Sequence, residues 1–192
     1  MSRPADIMIA LLGAGRASRF GADKLSQPCA GKPLGRWALE AALGTDRPVV
    51  WIAGAQVPDF VDCEVIRNPD AERGLATSVA CAARAAQARE ASGLLILLAD
   101  MPTMTCGVLI QLIGAGAYPA ACRYPQGHPG VPALFPPEMF GRLSNLTGDQ
   151  GAGAVLRGLP GLTLIDCRAE DLLDVDTPQA LAAAELVLLA RR

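Results

Sequence analysis

Gly93-Leu94-Leu95-Ile96-Leu97-Leu98-Ala99-Asp100-Met101-Pro102 is the stretch that decides how this chain folds. Five consecutive apolar side chains with no polar alternation do not suit a sheet that wets one face. They predict a strand covered by helices on both sides. Residues 73–91 before it are rich in Ala with Arg and Glu interspersed, and read as a long helix that Gly93 stops. A helix feeding a doubly buried strand is part of a βαβ unit. The apolar run ends abruptly at Asp100, where a carboxylate is out of place unless it caps a helix or holds a cation.

The same alternation continues in both directions. Toward the N terminus, Cys63-Glu64-Val65-Ile66 and Pro48–Ala53 read as strands, Leu34–Leu43 as a helix, and Ile7–Leu12 as the first strand. Toward the C terminus the pattern predicts a helix near 105–114, strands at 119–123 and 131–135, a helix at 149–158, a strand at 162–166 and a final helix from Thr177 or Pro178. Seven short strands in 192 residues fit one α/β domain, residues 1–192, built on a mainly parallel mixed sheet. In open sheets of this kind ligands gather at the carboxyl ends of the strands, so the polar exits are where chemistry is expected.

Composition narrows the function. Apolar residues make up 51% of the chain and charged ones 19%, which suits a buried sheet and argues against disorder. A net charge of −2 leaves no broad basic surface, so no nucleic-acid partner is expected. The six cysteines, at 29, 63, 81, 106, 122 and 167, form no CxxC pair or metal spacing and are expected as reduced thiols; a disulfide framework is the alternative. Ile7–Leu12 is too short for an export signal, and Glu185 interrupts the C-terminal apolar run, so a cytoplasmic chain with no membrane partner is expected.

The first strand leads into Gly13-Ala14-Gly15-Arg16-Ala17-Ser18-Arg19-Phe20-Gly21-Ala22-Asp23-Lys24. Glycines let backbone N–H groups approach an anion, and Arg19 and Lys24 bring charge to phosphate oxygens. A plain basic surface loop is the alternative. Ser18 replaces the third glycine of a dinucleotide fingerprint, and Lys24 does not directly follow a glycine as the Walker pattern requires.

The loop resembles the L-x-A-G-x-x-S-R-[FM]-G-x-x-K signature of nucleotidyltransferases related to molybdenum-cofactor cytidylyl- and guanylyltransferases, the MobA/MocA-like family. Leu12, Ala14, Gly15, Ser18, Arg19, Phe20, Gly21 and Lys24 fall on it, and Gly31-Lys32-Pro33-Leu34 is similar to its next segment. Gly13 departs from the Ala usual in the cytidylyl branch. Asn68-Pro69-Asp70 with Gly74 and Ser78 resembles the segment that contacts base and ribose; alone, it reads as a loop and helix cap. Ala99-Asp100-Met101-Pro102 resembles the family's G-D-M-P, whose Asp carries the metal. Asp174-Val175-Asp176-Thr177-Pro178 resembles D-[IV]-D-T-P, where Asp176 either approaches the metal or acceptor or caps the helix opened by Pro178. Gly130, Pro132 and Asp149 fall in segments similar to those shaping the acceptor pocket of molybdopterin cytidylyltransferases. There Gly153 replaces the usual Arg, for which Arg157 is a candidate substitute one helical turn on. The single His128 reads as a loop residue rather than a base.

The resemblance covers about residues 7–185. It implies a Rossmann-like three-layer α/β/α fold of the nucleotide-diphospho-sugar transferase type and a Mg²⁺-dependent transfer of a nucleoside monophosphate with release of pyrophosphate. Arg19, Lys24 and Asp100 are the implied catalytic residues. Leu12, Gly13, Ala14, Gly15, Arg19, Lys24, Asn68, Gly74 and Ser78 are implied to bind nucleotide, Gly130, Pro132, Asp149 and Asp176 the acceptor, and Asp100 and Asp176 the metal. Ala14 leans to CTP, because the guanylyl branch carries Gly there. The implied acceptor is molybdopterin or another small phosphorylated molecule, with a molybdoenzyme receiving the product. A GTP-using guanylyltransferase, a sugar-phosphate nucleotidyltransferase and a non-catalytic nucleotide-binding module stay open as alternatives.

Overall fold

The computed structural model describes residues 6–14, 24–115, 119–148 and 151–191. Its elements are β1 (Ile7–Leu12), β2 (Pro28–Cys29), β3 (Lys32–Pro33), α1 (Leu34–Leu43), β4 (Val49–Ala53), β5 (Glu64–Arg67), α2 (Leu75–Ala88), β6 (Gly93–Leu98), α3 (Cys106–Ile113), β7 (Ala120–Arg123), β8 (Pro129–Phe135), α4 (Phe140–Ser144), α5 (Ala152–Leu156), β9 (Thr163–Asp166) and α6 (Pro178–Ala190). Seven strands form one sheet in the order β5-β4-β1-β6-β8-β7-β9. Only β8 runs antiparallel to its neighbours β6 and β7; the other pairings are parallel. The mainly parallel mixed sheet of the sequence reading is what forms.

Alternation along β1 shows the three layers. Ile9 and Leu11 turn to one face and pack with Leu34 and Leu39 of α1, Leu109 and Leu112 of α3, and Ala184 and Leu188 of α6. Met8, Ala10 and Leu12 turn to the other face, against Val79 and Ala83 of α2, Phe140 and Leu143 of α4, and Val155 and Leu156 of α5. Strand β6 does the same, with Leu95 and Leu97 on the first face and Leu94 and Ile96 on the second. A strand buried on both faces has no use for polar alternation, which is why its sequence shows none.

Several boundaries differ from the sequence reading. Helix α2 is shorter than residues 73–91, because a 3-10 turn at Ala71–Arg73 and Gly74 at φ 114° precede it and Glu90 at φ 52° turns the chain away. Gly93 does not stop that helix; it opens β6, where a Cβ would stand 3.2 Å from Leu134 Cδ1 and 3.3 Å from Ile7 Cγ1. The helix expected at 149–158 is the single turn-and-a-half α5. The β2–β3 hairpin and α4 are too short to leave a periodic signal. That hairpin turns on Ala30 and Gly31, both at positive φ, as a two-residue primed turn requires. All six cysteines are free thiols; Cys29 and Cys122 are buried and the other four half-buried. Among the described residues, no helix is long and apolar enough to cross a membrane.

Candidate active site

Three strand ends meet where the polar exits were expected. The Gly13 amide donates to Ile52 O (3.0 Å) and the Ala99 amide to Leu12 O (3.2 Å), so the chain leaves β1, β4 and β6 side by side. Asp100 stands directly beyond β6. A distant segment completes the group: the Val175 amide donates to Asp100 O (3.0 Å), and Val175 is buried. In extended backbone successive side chains alternate, so burying Val175 sends Asp174 and Asp176 outward together. One ligand oxygen from each of Asp100, Asp174 and Asp176 lies within 4.8 Å of the others.

Lys24 reaches into this acidic cluster. It opens a 3-10 turn, Lys24–Ser26, pinned by the buried Leu25. Its ammonium donates to Asp100 Oδ2 (2.6 Å) and Asp176 Oδ1 (3.0 Å), and its side chain is only 13% exposed. Burial works against the charged ammonium, but Asp100 and Asp176 outweigh it and hold Lys24 above its ordinary value. The carboxyl of Asp174 is pushed up to about 7, first by lost hydration within the cluster and then by the negative charges of Asp100 and Asp176. Asp100 Oδ1 is buried and, among the described residues, has no hydrogen-bond partner. An orphaned carboxylate oxygen beside two further carboxylates is a donor set suited to a hard divalent cation.

The capping alternatives for the two aspartates fall away. Helix α3 is capped by Thr105, whose hydroxyl accepts from the Val108 amide (3.3 Å), and α6 by Thr177, whose hydroxyl accepts from the Ala180 amide (3.1 Å).

The remaining predicted residues divide by position. Leu12 ends β1, with Gly13 and Ala14 immediately after it at the mouth of the site. Gly13 has a second constraint: a Cβ there would stand 2.3 Å from Trp51 Cε2 and Cζ2. The fully buried Trp51 indole occupies the space a methyl group on Gly13 would need. Asn68 is buried, and its amide donates to Thr77 Oγ1 (2.9 Å) and Ser78 Oγ (3.0 Å), while its Oδ1 accepts from the Asp70 amide (3.1 Å). With both its hydrogens used, Asn68 braces the start of α2. Gly74 at φ 114° makes the sharp entry to that helix, whose first turn, among the described residues, has no side-chain cap.

Gly130 is held by packing, since a Cβ would stand 2.4 Å from Tyr124 Cε2. The Tyr124 hydroxyl donates to Val131 O (2.9 Å), and its ring stacks on His128, whose exposed imidazole faces no acid of the cluster in the described contacts. Pro132 lies on β8, in the strand that crosses from Tyr124 toward β6. Arg157 is not one helical turn from Gly153, because α5 ends at Leu156 and Arg157 continues in extended backbone. Gly15, Arg19 and Asp149 lie outside the described residues.

Two features went unread in the sequence. Asp174 joins the cluster because Val175 forms a bridge that no local pattern announces. Asp171, only 5% exposed, is bound by Arg191 Nη2 (2.7 Å) and Arg168 Nη2 (3.2 Å), while Arg191 Nη1 donates to Thr103 O (2.7 Å). This anchor ties the segment carrying Asp174 and Asp176 to the loop after β6.

Comparison with known proteins shows the family and the fold. The model of the MobA-like NTP transferase domain matches residues 9–164. The chain is 30% identical over 185 residues to the purine catabolism protein PucB of Bacillus subtilis, covering 88% of this chain and 90% of that protein. Among solved structures, Rv0371c of Mycobacterium tuberculosis H37Rv superposes with a TM-score of 0.74 at 25% identity, over 94% of this chain and 98% of that one. A structure of the same mycobacterial protein in complex with manganese gives a TM-score of 0.70 at 23% identity, over 97% and 100%. The molybdopterin-guanine dinucleotide biosynthesis protein A of Archaeoglobus fulgidus gives 0.67 at 17% identity, over 96% and 100%, a likeness of fold. With a triad of carboxylates and a lysine gathered at the exits of β1 and β6, and a family match running through most of the sheet, this chain belongs to the MobA-like NTP transferase family of nucleotidyltransferases.

Proposed function

We propose that the chain transfers CMP from CTP to the phosphate of molybdopterin or its metal-loaded form, releases pyrophosphate, and passes the product to a molybdoenzyme. The meeting of Lys24 with Asp100 and Asp176 beside the exit of β1 carries the reading. Ala14 favours CTP over GTP. The name of the Bacillus relative, a purine catabolism protein, fits a receiving enzyme that acts on purines.

The reaction joins two anions, the acceptor phosphate and the α-phosphate of the triphosphate. The acceptor is already a nucleophile, so no strong base is required, and positioning with charge neutralisation dominates. Asp100 and Asp176, with Asp174 beside them, would hold a divalent cation, Mg²⁺ in this proposal, and that ion would supply charge neutralisation to the phosphates. The Gly13-Ala14 turn lets phosphate approach the backbone. Lys24, joined by Arg19, balances the charge that builds on the α-phosphate and the departing pyrophosphate. Asn68 and Gly74 hold the entry of α2 for base and ribose, with Ser78 Oγ accepting from Asn68. Gly130, Pro132 and Asp149 are the residues assigned to the acceptor in this proposal.

Lys24→Ala and Asp100→Asn are each expected to lower turnover at least about a hundredfold, since each removes a charge-stabilising group from the transition state. Incubation with Mg²⁺, molybdopterin-type cofactor and CTP, GTP, UTP or ATP in turn, with products weighed by mass spectrometry, tests the whole reading. Near-normal rates in both variants, or no cytidylylated product, contradict it.

A further inference from the structure

Lys24 and a divalent cation need the same oxygens. We propose that Lys24 is the resident counter-cation of the Asp100–Asp176 site, and that it must leave these carboxylates before metal can bind and is then captured by the triphosphate. This rests on the metal reading of the preceding section. The ammonium lies 2.6 Å from Asp100 Oδ2 and 3.0 Å from Asp176 Oδ1, bridging the two residues assigned to the metal. A divalent ion bound to those same oxygens would sit about 2.0–2.6 Å from each, in the volume the ammonium fills. Two cations cannot share it.

What Lys24 does next follows from its charge. Its side chain is largely buried, so an ammonium driven from its carboxylates requires another anion close by. The position of Lys24 at the start of its 3-10 turn limits that search to the surroundings of the site, and the exit of β1 at Gly13-Ala14 is where triphosphate is proposed to sit. Metal and triphosphate therefore help each other: metal frees Lys24 for phosphate, and phosphate removes the competitor of the metal. Such coupling is reciprocal, each ligand raising the affinity of the other by the same factor. Without nucleotide, the protein holds metal weakly despite three carboxylates within 4.8 Å.

The composition makes the test clean, because Lys24 and Lys32 are the only lysines in the chain. Lys32 is engaged elsewhere, with Glu40 (2.5 Å) and 4.5 Å over the Trp37 ring, and serves as an internal reference. The first measurement titrates nucleotide-free protein with Mn²⁺, followed by electron paramagnetic resonance, for wild type, Lys24→Met and Asp100→Asn. Lys24→Met, which keeps the apolar stem and removes the charge, is expected to bind Mn²⁺ at least about 10-fold more tightly than wild type, and Asp100→Asn to lose most of the binding. The second acetylates wild-type lysines briefly and maps them by mass spectrometry. Mn²⁺ alone is expected to raise modification of Lys24 relative to Lys32, and subsequent CTP to lower it.

If Asp100→Asn loses Mn²⁺ but Lys24→Met binds no better than wild type and Mn²⁺ leaves Lys24 labelling unchanged, the counter-cation role is overturned while the metal site stands. If Mn²⁺ binding is the same in all three proteins, the metal reading itself fails and takes this inference with it.

Discussion

Gly13 is constrained from two sides. Its backbone borders the site, and a Cβ on it would collide with Trp51 at 2.3 Å. The need for glycine where backbone meets an anion was legible in the sequence; the indole was not, because nothing local says which residue of β4 faces the end of β1. Gly13→Ala is expected to destabilise the fold by about 1–3 kcal/mol through overpacking, read from the chemical denaturation midpoint. Adding Trp51→Leu is expected to recover part of that loss, so that the double variant is less destabilised than the two single changes summed. Strict additivity would show that the two residues do not press on one another. Glycine at this position thus makes room for the Trp51 indole.

At the scale of elements, the segment from Asp171 to Thr177 does the most for its length. The Asp171–Arg191 pair fixes one end, Thr177 caps α6 at the other, and the bridge from Val175 to Asp100 presents two carboxylates between them. Asp171→Asn is expected to cost about 1–3 kcal/mol, because the Arg191 guanidinium loses its buried carboxylate at 2.7 Å and keeps only the more exposed Glu170 at 3.2 Å; an unchanged denaturation midpoint would contradict the anchor. Asp174 gives a pH signature. Its carboxyl is pushed up to about 7 from an ordinary 3.8 by lost hydration and the neighbouring Asp100 and Asp176 charges, so between about pH 4 and 7 the folded chain holds more of this proton than the unfolded chain. Stability of the metal-free protein therefore falls as pH rises through that window, and Asp174→Asn flattens the fall. Thermal midpoints from pH 4 to 8 check this, and parallel curves for the two proteins would sink it. The strands β1, β4 and β6 were legible because doubly buried strands read as continuous apolar runs. The segment around Asp174 was legible only as a motif, since its shape is set by the contact of Val175 with the distant Asp100.

Across the whole molecule, sheet order turns distant stretches into one site. With β1 between β4 and β6, Gly13-Ala14 and Asp100 leave the sheet as neighbours, and Asp176 arrives from a segment beyond the last strand. The sequence put Lys24 and Asp100 on one anion, and their side chains meet; it did not anticipate that the lysine would bridge Asp100 and Asp176 themselves. The reason is electrostatic: clustered carboxylates take the nearest available cation. The most direct test is the anomalous scattering of Mn²⁺ in crystals grown with a non-hydrolysable CTP analogue. The account predicts one strong peak within coordination distance of the Asp100 and Asp176 carboxylates, touching the phosphates of the analogue, with Lys24 moved onto a phosphate oxygen. A peak away from Asp100, or a nucleotide bound at the opposite edge of the sheet, would contradict it.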